Sequence, residues 1–141
     1  MIWDLSFGKR KKQEETPKPI IVDERKTLEK VCEDLGRKDL YEPLSNILSC
    51  DPRKLEPIYE KLKEKIKKGE LISSLDSLHF ANSLFYKEEY DQAKEYFEKA
   101  YLGIENKRKY ISLVLNNFED VKKIAKEWWE RNGIYKKPEN P

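Results

Sequence analysis

From Asp23 onward, apolar residues recur at three- and four-residue spacing between polar runs, the signature of amphipathic helices. Asp23 can cap a first helix whose Leu28, Val31, Cys32 and Leu35 share a face and whose end Gly36 marks. A second, short helix covers about Leu40 to Ser49, with Pro43 in its first turn and Leu44, Ile47 and Leu48 facing inward. Asp51-Pro52 reads as an N-cap followed by proline, with Leu55, Ile58, Leu62 and Ile66 forming a stripe that stops at Gly69; Pro57 kinks this helix or moves its start. Ser74 opens a helix to about Tyr86 that is apolar nearly all round and is therefore expected at the centre. A partner begins at Tyr90 or Asp91 and runs to Tyr101, Asn106 caps a helix to Leu115, and a last helix runs from Phe118 or Glu119 to just before Gly133. Short connections between helices imply antiparallel hairpins and an all-α fold.

The first 22 residues break this pattern. Trp3, Leu5 and Phe7 alternate with Asp4 and Ser6, as in an extended segment with one apolar edge, and 8–19 is a basic, proline-containing linker. The expected organisation is a segment and linker at 1–22, a helical domain at 23–135 and a polar tail at 136–141.

Composition narrows the chemistry. Charged residues make up 40% of the 141, yet the formal net charge is only +2, with one His, two Cys, three Trp and five Gly. The near-neutral total hides opposed blocks: −3 over 73–102 and +3 over 103–141. No uncharged run is long enough to cross a membrane, and the apolar start precedes its basic cluster, the reverse of a secretory signal, so a cytoplasmic location is expected. Cys32 and Cys50 read as two small buried hydrophobes rather than a disulfide or metal pair. His79 stands between Leu78 and Phe80 without a spaced nucleophile or carboxylate partner, so neither catalysis, a metal nor a cofactor is expected. Abundant Lys and Glu with two Gln and four Ala suit a hot-growing organism, and an AT-rich genome would give the same bias.

Helical hairpins of this size invite a search for repeats. The segment from Leu84 to Ala100, LFYKEEYDQAKEYFEKA, resembles the centre of a tetratricopeptide repeat: Ala93, Phe97 and Ala100 occupy the small–aromatic–small positions of the second helix, while Ala81 falls on the small position of the first helix and Phe80 on its Leu position. Ser77 stands where that family has Trp, and Glu88 where it has the turn glycine. Looser echoes lie at 55–62 and 118–128, and the likeness covers about 73–132. The fold expected is thus either a tetratricopeptide-like superhelix or a small irregular helical bundle. The resemblance implies a groove for a partner peptide or helix, lined by Leu75, Leu78, Asn82, Phe85 and Tyr86; ordinary burial of the apolar members is the alternative. Leu78 replaces the Lys that would accompany Asn82 in capturing a terminal carboxylate.

Two other segments are candidates for contact. Trp3, Leu5 and Phe7 need a home, either on the protein's own groove or on another copy or protein. On the last helix, Lys122, Lys126 and Trp129 follow one line beside the stripe of Val121, Ile124, Ala125 and Trp128, and suit phosphate neutralisation with base stacking; Glu119, Asp120, Glu127 and Glu130 interrupt it. The function expected is non-catalytic protein binding, as a scaffold or accessory subunit, with nucleic-acid association as the alternative.

Overall fold

The computed structural model describes residues 23–134, which form seven α-helices and no strand. They are α1 (Leu28–Asp34), α2 (Tyr41–Ile47), α3 (Glu56–Lys67), α4 (Ser74–Tyr86), α5 (Tyr90–Gly103), α6 (Arg108–Asn116) and α7 (Phe118–Arg131). Trp3, Leu5 and Phe7, with the linker and the 136–141 tail, lie outside the described residues.

Helix starts differ from the sequence expectation for a common reason. Tight 3-10 turns at Glu24–Lys26, Lys38–Leu40, Pro52–Leu55 and Glu105–Lys107 precede α1, α2, α3 and α6. Asp23 caps only the first of these turns, accepting from the Arg25 amide, while Thr27 accepts from the Lys30 amide and starts α1. Asn106 lies inside a turn rather than at a cap, and Pro57 falls in the first turn of α3, where its missing N–H costs nothing.

Four helices end in the same hydrogen-bonded device. The amides of Gly36, Gly69, Glu88 and Gly133 reach back to Glu33, Ile66, Phe85 and Glu130, and the next amides to Cys32, Lys65, Leu84 and Trp129. This Schellman arrangement requires a left-handed residue. Three sites use glycine (φ 71°, 79° and 69°), whereas Glu88 takes φ 63° with a side chain in place.

The α4–α5 hairpin is the centre. Ala81, Ala93 and Ala100 are fully buried and let its helices approach, while Phe85 meets Tyr90, Phe97, Phe118 and Trp129 edge-on at 5.4–6.1 Å. α3 covers α4, α6 lies across α5, and the first two helices meet the last two: α2 lies on α6 and α1 on α7. Arg37, in the α1–α2 connection, bonds Asp120 and Asn117, and Arg131 pairs with Asp34 at 3.0 Å. Of the two arrangements expected, the fold is therefore a small all-α bundle: contacts between the first and last helices close it, where an open superhelix would leave them apart. No helix among the described residues is long and apolar enough to cross a membrane.

Four inward assignments are corrected. Leu35 is 42% exposed because α1 ends before it, and Cys50 is exposed beyond α2. Tyr59 takes a buried place on α3, beside Leu62, while Ile58 and Ile66 are only partly covered. Cys32 is buried as expected; both thiols are free, and burial pushes the Cys32 thiol up to about 11, which leaves it protonated and unreactive.

Candidate functional site

Most positions of the expected groove are occupied by the chain itself. Leu78, Asn82 and Phe85 are all at least 95% buried. The Asn82 side-chain amide donates to the carbonyls of Ile47 (3.1 Å) and Leu78 (3.0 Å), so it ties α4 to the end of α2 instead of facing a ligand. Tyr86 donates its hydroxyl to the Ile134 carbonyl at 2.8 Å and stands edge-on to Trp129. Leu75 alone of the five is exposed, at 53%.

The cationic line on α7 is likewise engaged. Trp129 is 2% exposed, wedged against Phe85 and Tyr86, so its face is closed to base stacking; the expectation that it sits beside the buried stripe is corrected to a place within the core. Lys122 pairs with Glu119 at 2.9 Å and Lys126 with Glu88 at 3.5 Å, and both ammonium groups lie over the Tyr90 ring. His79 is half-buried on α4, and the described residues hold no group of three His, Cys, Asp or Glu suited to a metal.

What remains exposed gathers elsewhere. Among the described residues the three most exposed large apolar side chains are Leu71 (97%), Leu102 (74%) and Leu75. The antiparallel hairpin brings the start of α4 and the end of α5 to one end of the bundle, and Gly103 locks the two together: a Cβ there would stand 1.6 Å from Ser74 Oγ, so only glycine permits the approach. Leu75 and Leu102 each adjoin one member of that contact. Leu71 lies in the α3–α4 connection, just after the Gly69 turn and before Ser73, whose hydroxyl accepts from the Asp76 amide at 3.1 Å and caps α4.

This end is held firmly. Arg108 donates to the carbonyls of Tyr101 (2.9 Å) and Leu102 (3.2 Å), satisfying groups that the end of α5 would otherwise leave open, and its guanidinium lies over the Tyr101 ring. Ile72 and Ile104 anchor the flanking connections on the core. Glu70, Asp76 and Glu105 lie within one to three positions of these leucines in sequence, and none of the three has an ion-pair partner among the described residues. The result is three exposed leucines on or next to the helix ends that the Ser74–Gly103 contact joins. Fully covering three leucines is worth roughly 1.5–3 kcal/mol each, before the costs of association.

A second concavity, a cleft of about 450 Å³, separates α3 from α5 above Phe80. Tyr59 stacks on Phe80 at 5.3 Å and Tyr96 meets it edge-on at 4.8 Å, but Lys63 and Lys87 lie over Tyr59 and Lys99 over Tyr96. The aromatic faces of this cleft are thus covered by the chain's own cations.

Sequence reasoning named Leu75 and missed Leu71 and Leu102. A signal existed for Leu102: it falls off the buried stripe of Ala93, Phe97 and Ala100. No family model, curated protein or solved structure matches the chain.

Proposed function

We propose that the chain is a non-catalytic protein-binding module, a small scaffold or accessory subunit, whose contact surface is the Leu71–Leu75–Leu102 end of the central hairpin. The observation that carries this reading is the exposure of Leu71, Leu75 and Leu102, the three most exposed large apolar side chains among the described residues, at or next to the helix ends that the Ser74–Gly103 contact joins. Exposed apolar clusters on a rigid support mark interaction surfaces. The carboxylates of Glu70, Asp76 and Glu105, which have no ion-pair partner among the described residues, favour a partner segment, peptide or helix, with apolar side chains beside basic ones. The likeness of 73–132 to a tetratricopeptide repeat supports the same class of activity, moved from the concave helix faces to the end of the hairpin.

The test is quantitative affinity purification from the native source with the wild type, Leu102→Asp and Lys123→Asp. Lys123 is an exposed residue of α7. The expected result is a polypeptide recovered with the wild type and Lys123→Asp and reduced at least about tenfold with Leu102→Asp, at unchanged melting temperature. Equal recovery with both variants would refute the assignment.

A further inference from the structure

We infer that Asn132 is a modification site: with Gly133 it forms the one Asn-Gly pair of the sequence, and its deamidation opens the clasp that holds the Glu24–Lys26 turn and α1 on α7.

Position gives this asparagine its consequence. It follows α7 directly, and its side-chain amide donates to the carbonyls of Lys26 and Trp128, both at 2.8 Å. One amide thus joins the turn before α1 to the last turn of α7. Arg131 supplies the neighbouring tie, donating to the Arg25 carbonyl at 2.7 Å and pairing with Asp34 at 3.0 Å. An aspartate at 132 has no hydrogen to give to either carbonyl when ionised.

The reaction needs water alone as co-reactant. The Gly133 nitrogen loses its proton to solvent and bonds to Asn132 Cγ; the Cγ–Nδ2 bond breaks, and the side-chain nitrogen takes up a proton and leaves as ammonia. Water then opens the cyclic imide. Cleavage of the new N–Cγ bond gives aspartate, and cleavage of the original peptide bond gives isoaspartate, with the chain routed through Cγ. No Cβ crowds the attacking nitrogen, and both residues are exposed.

The folded chain restrains this chemistry. At Asn132 ψ is 8°, which turns the Gly133 nitrogen away from Cγ, and the Gly133 amide is committed to the Glu130 carbonyl at 3.1 Å. The last turn must open before the ring closes, and such local opening is easier than global unfolding. The clasp therefore sets the rate. Once formed, the product keeps the clasp open: a carboxylate faces the Lys26 and Trp128 carbonyls at the negative end of α7, and isoaspartate adds a backbone carbon to a turn closed by hydrogen bonds at Gly133 and Ile134.

Peptide mapping by mass spectrometry, after incubation of the full-length chain in mildly alkaline buffer, tests the reaction. Isoaspartate is expected to be higher at 132 than at Asn106 and Asn116. Asp34→Asn frees Arg131 from α1 and is expected to raise the yield at 132 about twofold to fivefold, the scale of one exposed ion pair, with Asn82 in the core unchanged. The consequence is read through Cys32, which is fully buried on α1. In a Cys50→Ser background, a maleimide is expected to label Cys32 at least about threefold faster in Asn132→Asp than in Asn106→Asp, which adds the same charge on the exposed Glu105–Lys107 turn. Isoaspartate at 132 no higher than at Asn106 and Asn116, equal yields in the wild type and Asp34→Asn, a parallel rise at Asn82, or equal labelling of the two charge variants would overturn the inference.

Discussion

Replacing Glu88 by glycine removes a Cβ from a backbone that the α4–α5 turn holds at φ 63°. A left-handed conformation costs a side-chain-bearing residue about 1–2 kcal/mol. Against this gain stand the side chain's contacts, including the ion pair with Lys126 at 3.5 Å, and exposed pairs contribute about 0.2–1 kcal/mol. The greater freedom of glycine in the unfolded chain offsets a little more. The balance is a net stabilisation of up to about 1 kcal/mol, or a rise in melting temperature of up to about 6 °C for a domain of this size. The converse change provides an internal control: at Gly36, φ is 71° and an added Cβ meets nothing within 4 Å, so Gly36→Ala is expected to destabilise by about 1 kcal/mol through conformation alone. Thermal denaturation followed by circular dichroism reads both. A lower melting temperature for Glu88→Gly, with the expected loss at Gly36, would refute the view that the turn carries conformational cost.

Asn82→Ala removes the bond to the Ile47 carbonyl and leaves that acceptor buried, so a loss of about 1–3 kcal/mol is expected in chemical denaturation; an unchanged midpoint would contradict the α2–α4 tie. Ala93→Leu overfills a fully buried site between α4 and α5 and is expected to cost about 1–3 kcal/mol, whereas an unaltered melting temperature would disprove the close approach. The Asp34 carboxyl is held below its ordinary value of 3.8, chiefly by the Arg131 guanidinium and further by Lys30, with desolvation opposing. Its contribution is therefore complete above about pH 4 and is lost as pH falls through the lowered value. Asp34→Asn should narrow the difference in melting temperature between about pH 7 and pH 3, and an identical pH profile would count against the α1–α7 pair.

Helix boundaries were legible where backbone chemistry is local. Gly36, Gly69 and Gly133 ended their helices as read, and Pro57 displaced the start of α3 by one of the two routes anticipated for it. The 3-10 turns escaped notice because Asp23 and Asn106 resemble helix caps in sequence while the hydrogen bonds that decide the matter lie at Thr27 and Ile104. Periodicity also identified the buried faces of α4, α5 and α7 but could not say what buries them. The Asn82–Ile47 bond spans 35 residues, and the α1–α7 contact joins opposite ends of the domain, so the filling of the repeat-like groove depends on long-range closure. Trp129 illustrates the same limit: its position beside the α7 stripe left it free in a two-helix view, whereas Tyr86 and Phe85 stand edge-on against it. Leu71 had no periodic context at all.

The assignment of the leucine end as the contact surface is tested most directly by placing a photo-reactive phenylalanine analogue at position 102 in the native cell and mapping its adducts by mass spectrometry. The account predicts cross-links from position 102 to one partner polypeptide, well above those from the same analogue at position 123. Equal, low yields at both positions would contradict it.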